Sequence, residues 1–175
     1  MLVLVVGPSG AGKDTLLEVA RAALADDTRY YFVRRVITRA ADAGGEAHEA
    51  VTQEEFAARD FLLCWEAHGL RYGIPTSVID HIDRGAVVVA NVSRTVIAEA
   101  TRRFATRVIE ISAPPDVLAA RLGSRRRESE ADIAARLARN IALPGDVRIA
   151  TIINDGPLTE SVERFVAALR DCLSS

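Results

Sequence analysis

Near its start the chain reads Leu2-Val3-Leu4-Val5-Val6-Gly7-Pro8-Ser9-Gly10-Ala11-Gly12-Lys13, and this segment is the strongest indication of the fold. Its first five residues are apolar and rich in β-branched side chains, which predicts a strand buried on both faces. The next seven follow the G-x-x-x-x-G-K pattern of a phosphate-binding loop (Walker A), placed directly after a strand as that motif requires. In such a loop the backbone N–H groups and the N-terminus of the following helix face the phosphates of a nucleotide.

Lys13 strengthens this prediction, because it is the only lysine among 22 Lys and Arg residues. A compact ammonium charge at this position reaches the β- and γ-phosphates. The plain alternative is a glycine-rich turn that only joins strand to helix; the preceding strand, the spacing and the single lysine together favour phosphate binding. The predicted nucleotide-binding residues of this loop are Gly7, Pro8, Ser9, Gly10, Ala11, Gly12, Lys13, Asp14 and Thr15.

The position after the lysine departs from the motif. Asp14 stands where Ser or Thr usually gives its hydroxyl to Mg²⁺, and Thr15 follows it. A carboxylate ligates Mg²⁺ directly or through water, but an acid in a first turn also stabilises the helix by itself. Both interpretations of Asp14 stay open, with Asp14 and Thr15 as candidate metal ligands.

Outside the loop, short apolar runs alternate with amphipathic stretches, which predicts an α/β fold with a mainly parallel sheet and helices on both faces. The 175 residues fit one domain. Further strands are predicted at 87–89, 108–111 and 149–153, and helices at 13–25, 95–104, 115–123, 130–142 and 158–173. Local signals for helix ends are a capping box at Thr52 and Glu55, a cap at Ser77, a left-handed Gly85, and Pro114-Pro115.

Composition excludes several classes of protein. A hydrophobic fraction of 49% argues against disorder, and two cysteines are too few for a disulfide scaffold. Cys64 and Cys172 lie far apart and neither belongs to a Cys-x-x-Cys pair, which argues against a zinc site. A net charge of −2 argues against a nucleic-acid or membrane-surface binder. No segment approaches the ~20 apolar residues of a membrane span. We therefore expect a cytoplasmic protein with small-molecule partners and neither nucleic acid nor membrane.

The chain resembles the guanylate kinase family along almost its whole length. The resemblance rests on the phosphate loop and on motifs that follow in the family's order: Thr38-Arg39, Gly45-Glu46, Glu55-Phe56, Trp65-Glu66-Ala67-His68-Gly69, Tyr72-Gly73, Ala113-Pro114-Pro115, Arg121-Leu122, Arg125, Arg136-Leu137 and Ile153-Asn154. It implies a P-loop NTPase of the nucleoside-monophosphate-kinase type: one kinase domain over 1–175, with an acceptor-binding segment at about 34–85 and a lid at about 124–132.

The residues by which that family binds guanine are missing. Cys64 replaces a glutamate, Ile74 replaces a hydroxyl, and Ala90-Asn91 stands where an aspartate ends the strand; Asp42 replaces a phosphate-binding arginine. Because an unpaired buried donor costs about 1–3 kcal/mol, these losses disfavour a guanine base as acceptor. A guanylate or other nucleoside-monophosphate kinase remains the alternative, and a non-catalytic interaction module is a second one, disfavoured by the intact loop.

A narrower resemblance fits better. The segments Lys13-Asp14, Arg35 to Arg39, Gly44 to His48, Asn91 to Arg94 and Arg125 to Glu128 are similar to those of the ribose 1,5-bisphosphate phosphokinase family of phosphonate breakdown. It implies ATP and Mg²⁺ as cofactors and 5-phosphoribosyl 1-diphosphate as product. An acceptor with two phosphates and no base benefits from cations and neutral donors in place of carboxylates.

The resemblance also implies residue roles. The implied acceptor-binding residues are Arg35, Arg39, His48, Tyr72, Asn91 and Arg94. The implied catalytic residues are Lys13, Arg121, Arg125 and Arg136, the arginines stabilising charge on the transferring phosphoryl group. Asn154 is placed on the nucleotide side, and Trp65 is expected to pack in the core. No general base is expected, because the acceptor oxygen is an ionised phosphate oxygen.

Overall fold

The computed structural model describes residues 1–40, 47–123 and 147–174. Within these ranges the chain forms two sheets and six α-helices. The strands are β1 (Leu2–Val6), β2 (Tyr30–Phe32), β3 (Val36–Ile37), β4 (Glu49–Ala50), β5 (Phe61–Ala67), β6 (Leu70–Pro75), β7 (Val87–Asn91), β8 (Thr106–Ser112) and β9 (Ile149–Ile153). The helices are α1 (Lys13–Ala23), α2 (Gln53–Ala57), α3 (Val78–Asp83), α4 (Ile97–Arg103), α5 (Pro115–Gly123) and α6 (Leu158–Asp171).

The larger sheet has the order β2-β7-β1-β8-β9, and all of its strand pairs are parallel. Every residue of β1 is buried, as its continuous apolar run predicts. Val3 and Val5 of β1 pack in one core cluster with residues of α1 and α6. Leu2, Leu4 and Val6 pack in a second cluster with residues of α4, β5 and β6. The predicted α/β class, with a parallel sheet covered on both faces, is confirmed.

The smaller sheet has the order β4-β3-β6-β5 and lies within the predicted acceptor-binding segment. Its strongest pairing is the antiparallel hairpin of β5 and β6, joined by His68 and Gly69. Both turn residues have positive φ, +56° at His68 and +71° at Gly69, as a tight two-residue hairpin turn requires. This turn fixes the register that sets Trp65 directly opposite Tyr72.

Most local signals for helix ends are confirmed. The Thr52–Glu55 capping box is present in both directions, α5 begins at Pro115, and Gly85 after α3 has φ +83°. The predicted cap at Ser77 is wrong: its backbone is already helical and its side chain makes no capping hydrogen bond. The predicted helix at 130–142 and the lid at 124–132 lie outside the described residues. Among the helices that are described, none combines the length and apolarity that crossing a bilayer requires.

Candidate active site

The phosphate loop connects the carboxyl end of β1 to α1, and two of its glycines are sterically required. A Cβ atom on Gly7 would lie 1.9 Å from the carbonyl oxygen of Ile111 in β8, and the φ of Gly7 is +146°. A Cβ atom on Gly12 would lie 2.4 Å from Nδ2 of Asn154, and the φ of Gly12 is +86°. Ile111 and Asn154 lie so close to the backbone of the loop that a side chain at either position would clash with them. Glycine is therefore required at both positions.

Two residues from later elements brace this loop. Asn154 follows β9 and is buried; its Nδ2 donates to the carbonyl of Ala11 at 2.8 Å, and its backbone N–H donates to Ser112 at 2.8 Å. Arg121 of α5 donates from Nη1 to the carbonyl of Gly10 at 3.4 Å. The sequence predicted Asn154 on the nucleotide side and Arg121 among the catalytic arginines, and both residues lie against the phosphate loop.

Lys13 is the first residue of α1, and its side chain is hydrogen-bonded to the phosphate loop. Its Nζ donates to the carbonyl oxygens of Gly7 at 2.7 Å and Pro8 at 2.9 Å. An ammonium group held here, with the N-terminus of an 11-residue helix beside it, makes this edge of the sheet attractive to an anion.

Asp14 is hydrogen-bonded to the end of a neighbouring strand. Nδ2 of Asn91, the last residue of β7, donates to Oδ1 of Asp14 at 3.0 Å. Asn91 is 7% exposed, whereas Asp14 is exposed on the first turn of α1. Asn91 was predicted to bind the acceptor, but the structure brings its amide to the candidate metal ligand.

The predicted acceptor-binding segment places an arginine beside the same strand end. Arg35 precedes β3, and its Nη1 donates to the carbonyl of Asn91 at 3.3 Å. Its guanidinium lies 5.3 Å from the ring centroid of Tyr72 and 5.9 Å from that of Trp65, and those two rings are stacked. Trp65 and Tyr72 are both buried, which confirms the packing expected of Trp65. The two stacked rings also stabilise the guanidinium of Arg35 through cation–π contacts.

His48 and Arg39 form a second unit in this segment. Nη2 of Arg39 lies 3.3 Å from Nδ1 of His48, and Nε2 of His48 lies 3.2 Å from the carbonyl of Arg39. A guanidinium only donates, so Nδ1 accepts and Nε2 carries the proton. The buried imidazole therefore uses these atoms to orient Arg39, and Arg34 adds a bond to the His48 carbonyl at 2.8 Å.

Arg94, in a 3₁₀ turn after β7, forms a short ion pair with Glu110 of β8. The sequence reasoning missed Glu110, although a signal was present: it is a single acid in the apolar run Val108 to Ile111, and a charge in such a strand needs a partner. Because Glu110 pairs with Val6 in the parallel ladder, the ion pair lies beside the start of the phosphate loop.

The structure thus brings one chain of contacts from the smaller sheet to the phosphate loop, running from Arg35 through Asn91 to Asp14. Arg125 and Arg136, predicted as catalytic, lie outside the described residues. Thr15 is exposed on α1, next to Asp14. In the part of the chain that the structure describes, no group of three His, Cys, Asp or Glu side chains is arranged to hold a metal. Mg²⁺ beside a nucleotide usually keeps several waters and binds phosphate oxygens together with one or two protein ligands, so a single carboxylate such as Asp14 is compatible with it.

The sequence is similar to a family model and to phosphokinases from bacteria. A family model described as an AAA domain matches residues 2–141. The ribose 1,5-bisphosphate phosphokinase PhnN of Methylobacterium radiotolerans is 51% identical over 177 residues, covering 98% of this chain and 98% of that one. The enzyme of the same name from Brucella melitensis is 48% identical over 175 residues, covering 97% and 91%.

Among solved structures, the guanylate kinase of Anaplasma phagocytophilum superposes with a TM-score of 0.72 at 20% identity, covering 100% of this chain and 87% of that one. At that identity the likeness shows the fold alone, which is the guanylate-kinase-like P-loop fold. The two phosphokinases from Methylobacterium radiotolerans and Brucella melitensis are matched over nearly the full length of both chains and carry the same name. On these grounds the chain belongs to the ribose 1,5-bisphosphate phosphokinase family of P-loop kinases.

Proposed function

We propose that this chain transfers the γ-phosphoryl group of ATP to ribose 1,5-bisphosphate, which yields 5-phosphoribosyl 1-diphosphate and ADP. The names of the relatives support this reaction. The observation that carries it is the chemistry of the acceptor side, where arginines stand and where the carboxylates of a base-binding site are absent from the described positions.

Three positions argue against guanine as acceptor. Ile74 is fully buried and offers no hydrogen bond, and Cys64 offers only a weak thiol. The amide nitrogen of Asn91 already donates to Asp14. Since each unpaired guanine donor costs about 1–3 kcal/mol, the loss of several acceptors disfavours the base strongly.

On the acceptor side, positively charged arginine side chains are present instead of the carboxylates of a guanine-binding site. Arg35 and Arg39 lie in the acceptor-binding segment, and Arg94 lies just beyond the end of β7. A guanidinium binds a phosphate through two parallel hydrogen bonds, which suits an acceptor that carries two phosphates. We assign the segment at about 34–85 to acceptor binding and the stretch at about 124–132 to the lid.

The reaction needs positioning and charge neutralisation more than proton transfer. An ionised oxygen of the 1-phosphate attacks the γ-phosphorus, and the bond from that phosphorus to the β–γ bridging oxygen breaks, with its electron pair leaving on ADP. Lys13 binds the β- and γ-phosphates, and Arg121, Arg125 and Arg136 stabilise the transferring group. Mg²⁺, when bound, neutralises the phosphate charge, and Asp14 with Thr15 supplies oxygen ligands of the kind it prefers.

The test compares acceptors. The purified protein is incubated with ATP and Mg²⁺ and with either ribose 1,5-bisphosphate or GMP, and kcat/KM is measured from ADP release. We expect ribose 1,5-bisphosphate to be used at least 100-fold more efficiently, the ratio that about 2.7 kcal/mol of lost base recognition produces. The Lys13→Ala variant, purified in parallel, controls for contaminating kinases. Faster turnover of GMP would overturn the proposal.

A further inference from the structure

The contact between Asp14 and Asn91 goes beyond the roles assigned above. In most P-loop proteins the loop offers a hydroxyl to Mg²⁺ and a neighbouring strand offers a carboxylate. Here the loop carries the carboxylate of Asp14, and the end of the neighbouring strand β7 carries the amide of Asn91. Each arrangement contains one carboxylate. In most P-loop proteins it lies on the strand, and here it lies on the loop.

The two side chains differ in how firmly they are held. Asn91 is buried between β1 and β2, paired with Val5 in the ladder, and its carbonyl accepts from Arg35. Asp14 is exposed at the start of a helix, where several rotamers are open to it. The bond from Nδ2 of Asn91 to Oδ1 of Asp14, at 3.0 Å, selects one of them and engages one of the two carboxylate oxygens.

We infer that Asn91 is a positioning residue for the metal: its amide orients the Asp14 carboxylate toward the Mg²⁺ that accompanies ATP, and the two residues form one unit. This inference rests on the proposed ATP–Mg²⁺ chemistry but not on the identity of the acceptor. It also gives Asn91 a different role from the acceptor contact that the sequence predicted. Residues that orient a metal ligand typically change metal affinity 10- to 100-fold when they are replaced.

The test measures the coupling between metal and nucleotide by calorimetry, with no acceptor present. A non-hydrolysable ATP analogue is titrated into the full-length protein twice, once with Mg²⁺ and once with EDTA, and the ratio of the two affinities is the metal enhancement. We expect Asn91→Ala to reduce this enhancement about 10-fold or more and to leave the affinity in EDTA unchanged. Asn91→Ser provides a smaller polar replacement if the alanine variant does not fold. Gln53→Ala, which removes an exposed amide outside the loop, is the matched control and should keep the full enhancement.

Moving the carboxylate from the loop back to the strand tests whether these two elements have exchanged roles. Asp14→Ser alone should lose most of the enhancement, and the double variant Asp14→Ser/Asn91→Asp should recover at least half of the loss in free energy, since it restores a loop hydroxyl beside a strand carboxylate. Manganese bound in the nucleotide complex, followed by its paramagnetic resonance spectrum, gives a second readout independent of activity.

Full enhancement in Asn91→Ala, or in Asn91→Ser, would overturn the inference, and so would a double variant as weak as Asp14→Ser. If such a variant also raised the KM for the acceptor, Asn91 would be an acceptor contact instead. Use of GMP by the wild-type protein would refute the proposed function and leave this result intact.

Discussion

Replacing Arg94 by alanine distinguishes a contact with the acceptor from a purely structural ion pair. The side chain of Arg94 is 17% exposed and that of its partner Glu110 is 20% exposed. Exposed pairs contribute up to about 1 kcal/mol, while breaking a fully buried pair costs about 3–5 kcal/mol because a charge is left unpaired. For this mostly buried pair we expect a loss of about 2 kcal/mol, which lowers the Tm of a chain this long by about 4–8 °C.

The same substitution has a separate kinetic effect if Arg94 binds the acceptor. A lost charge-assisted hydrogen bond of about 1.5–3 kcal/mol lowers kcat/KM for ribose 1,5-bisphosphate about 10- to 150-fold. The KM for ATP should change little. Both quantities are measured on the same preparation, by thermal unfolding and by initial rates at saturating levels of the other substrate.

The double variant Arg94→Ala/Glu110→Ala separates the two effects. Removing Glu110 removes the unpaired charge, so much of the lost Tm should return, while the acceptor kinetics should stay impaired. If Arg94→Ala lowers the Tm and leaves acceptor kinetics at the wild-type value, Arg94 is structural and the acceptor role is refuted.

Three further substitutions follow from the site. Lys13→Ala should abolish phosphoryl transfer to every acceptor tested while far-ultraviolet circular dichroism stays unchanged; retained transfer would show that the loop lysine is dispensable. Gly12→Ala should reduce nucleotide affinity at least 10-fold by fluorescence titration, because its Cβ would lie 2.4 Å from Nδ2 of Asn154 at a φ of +86°; an unaffected affinity would mean that the loop adjusts freely. His48→Phe should raise the acceptor KM several-fold with the ATP KM unchanged, and His48→Gln, which keeps a donor and an acceptor for Arg39, should restore most of it; equal defects in both variants would argue against orientation through that arginine.

Local patterns predicted four of the five strands of the parallel sheet and missed the three-residue edge strand β2. The predicted strand at 149–153 coincides with β9, and the helix at 115–123 coincides with α5. Each depends on residues close in sequence: a run of β-branched side chains in one case, a proline at the first helical turn in the other.

The smaller sheet was not predicted strand by strand. β3 and β4 have only two residues each, too few for a period of alternating polarity. They exist because β6 lies beside β3 in the folded chain, with Ile37 opposite Tyr72. The family resemblance predicted an acceptor-binding segment at about 34–85, where this sheet lies. The pairing of its short strands depends on contacts between residues that are distant in sequence.

The partners of the site residues were also beyond sequence reasoning. Asp14 and Asn91 are separated by 77 positions, and Arg35 and Asn91 by 56. The motifs predicted candidate site residues, but not that Asn91 bonds to the metal-ligand candidate or that Glu110 pairs with Arg94. Those contacts depend on which strand ends the parallel sheet brings together.

Identifying the reaction product shows whether the protein phosphorylates the 1-phosphate of ribose 1,5-bisphosphate. The full-length protein is incubated with ATP, Mg²⁺ and ribose 1,5-bisphosphate, and the reaction is followed by phosphorus nuclear magnetic resonance. We predict that the signal of the 1-phosphate is replaced by two coupled signals of a 1-diphosphate in step with ADP formation, while the 5-phosphate signal persists. Release of inorganic phosphate with an unchanged 1-phosphate, or phosphorylation only when a nucleoside monophosphate is the acceptor, would contradict it.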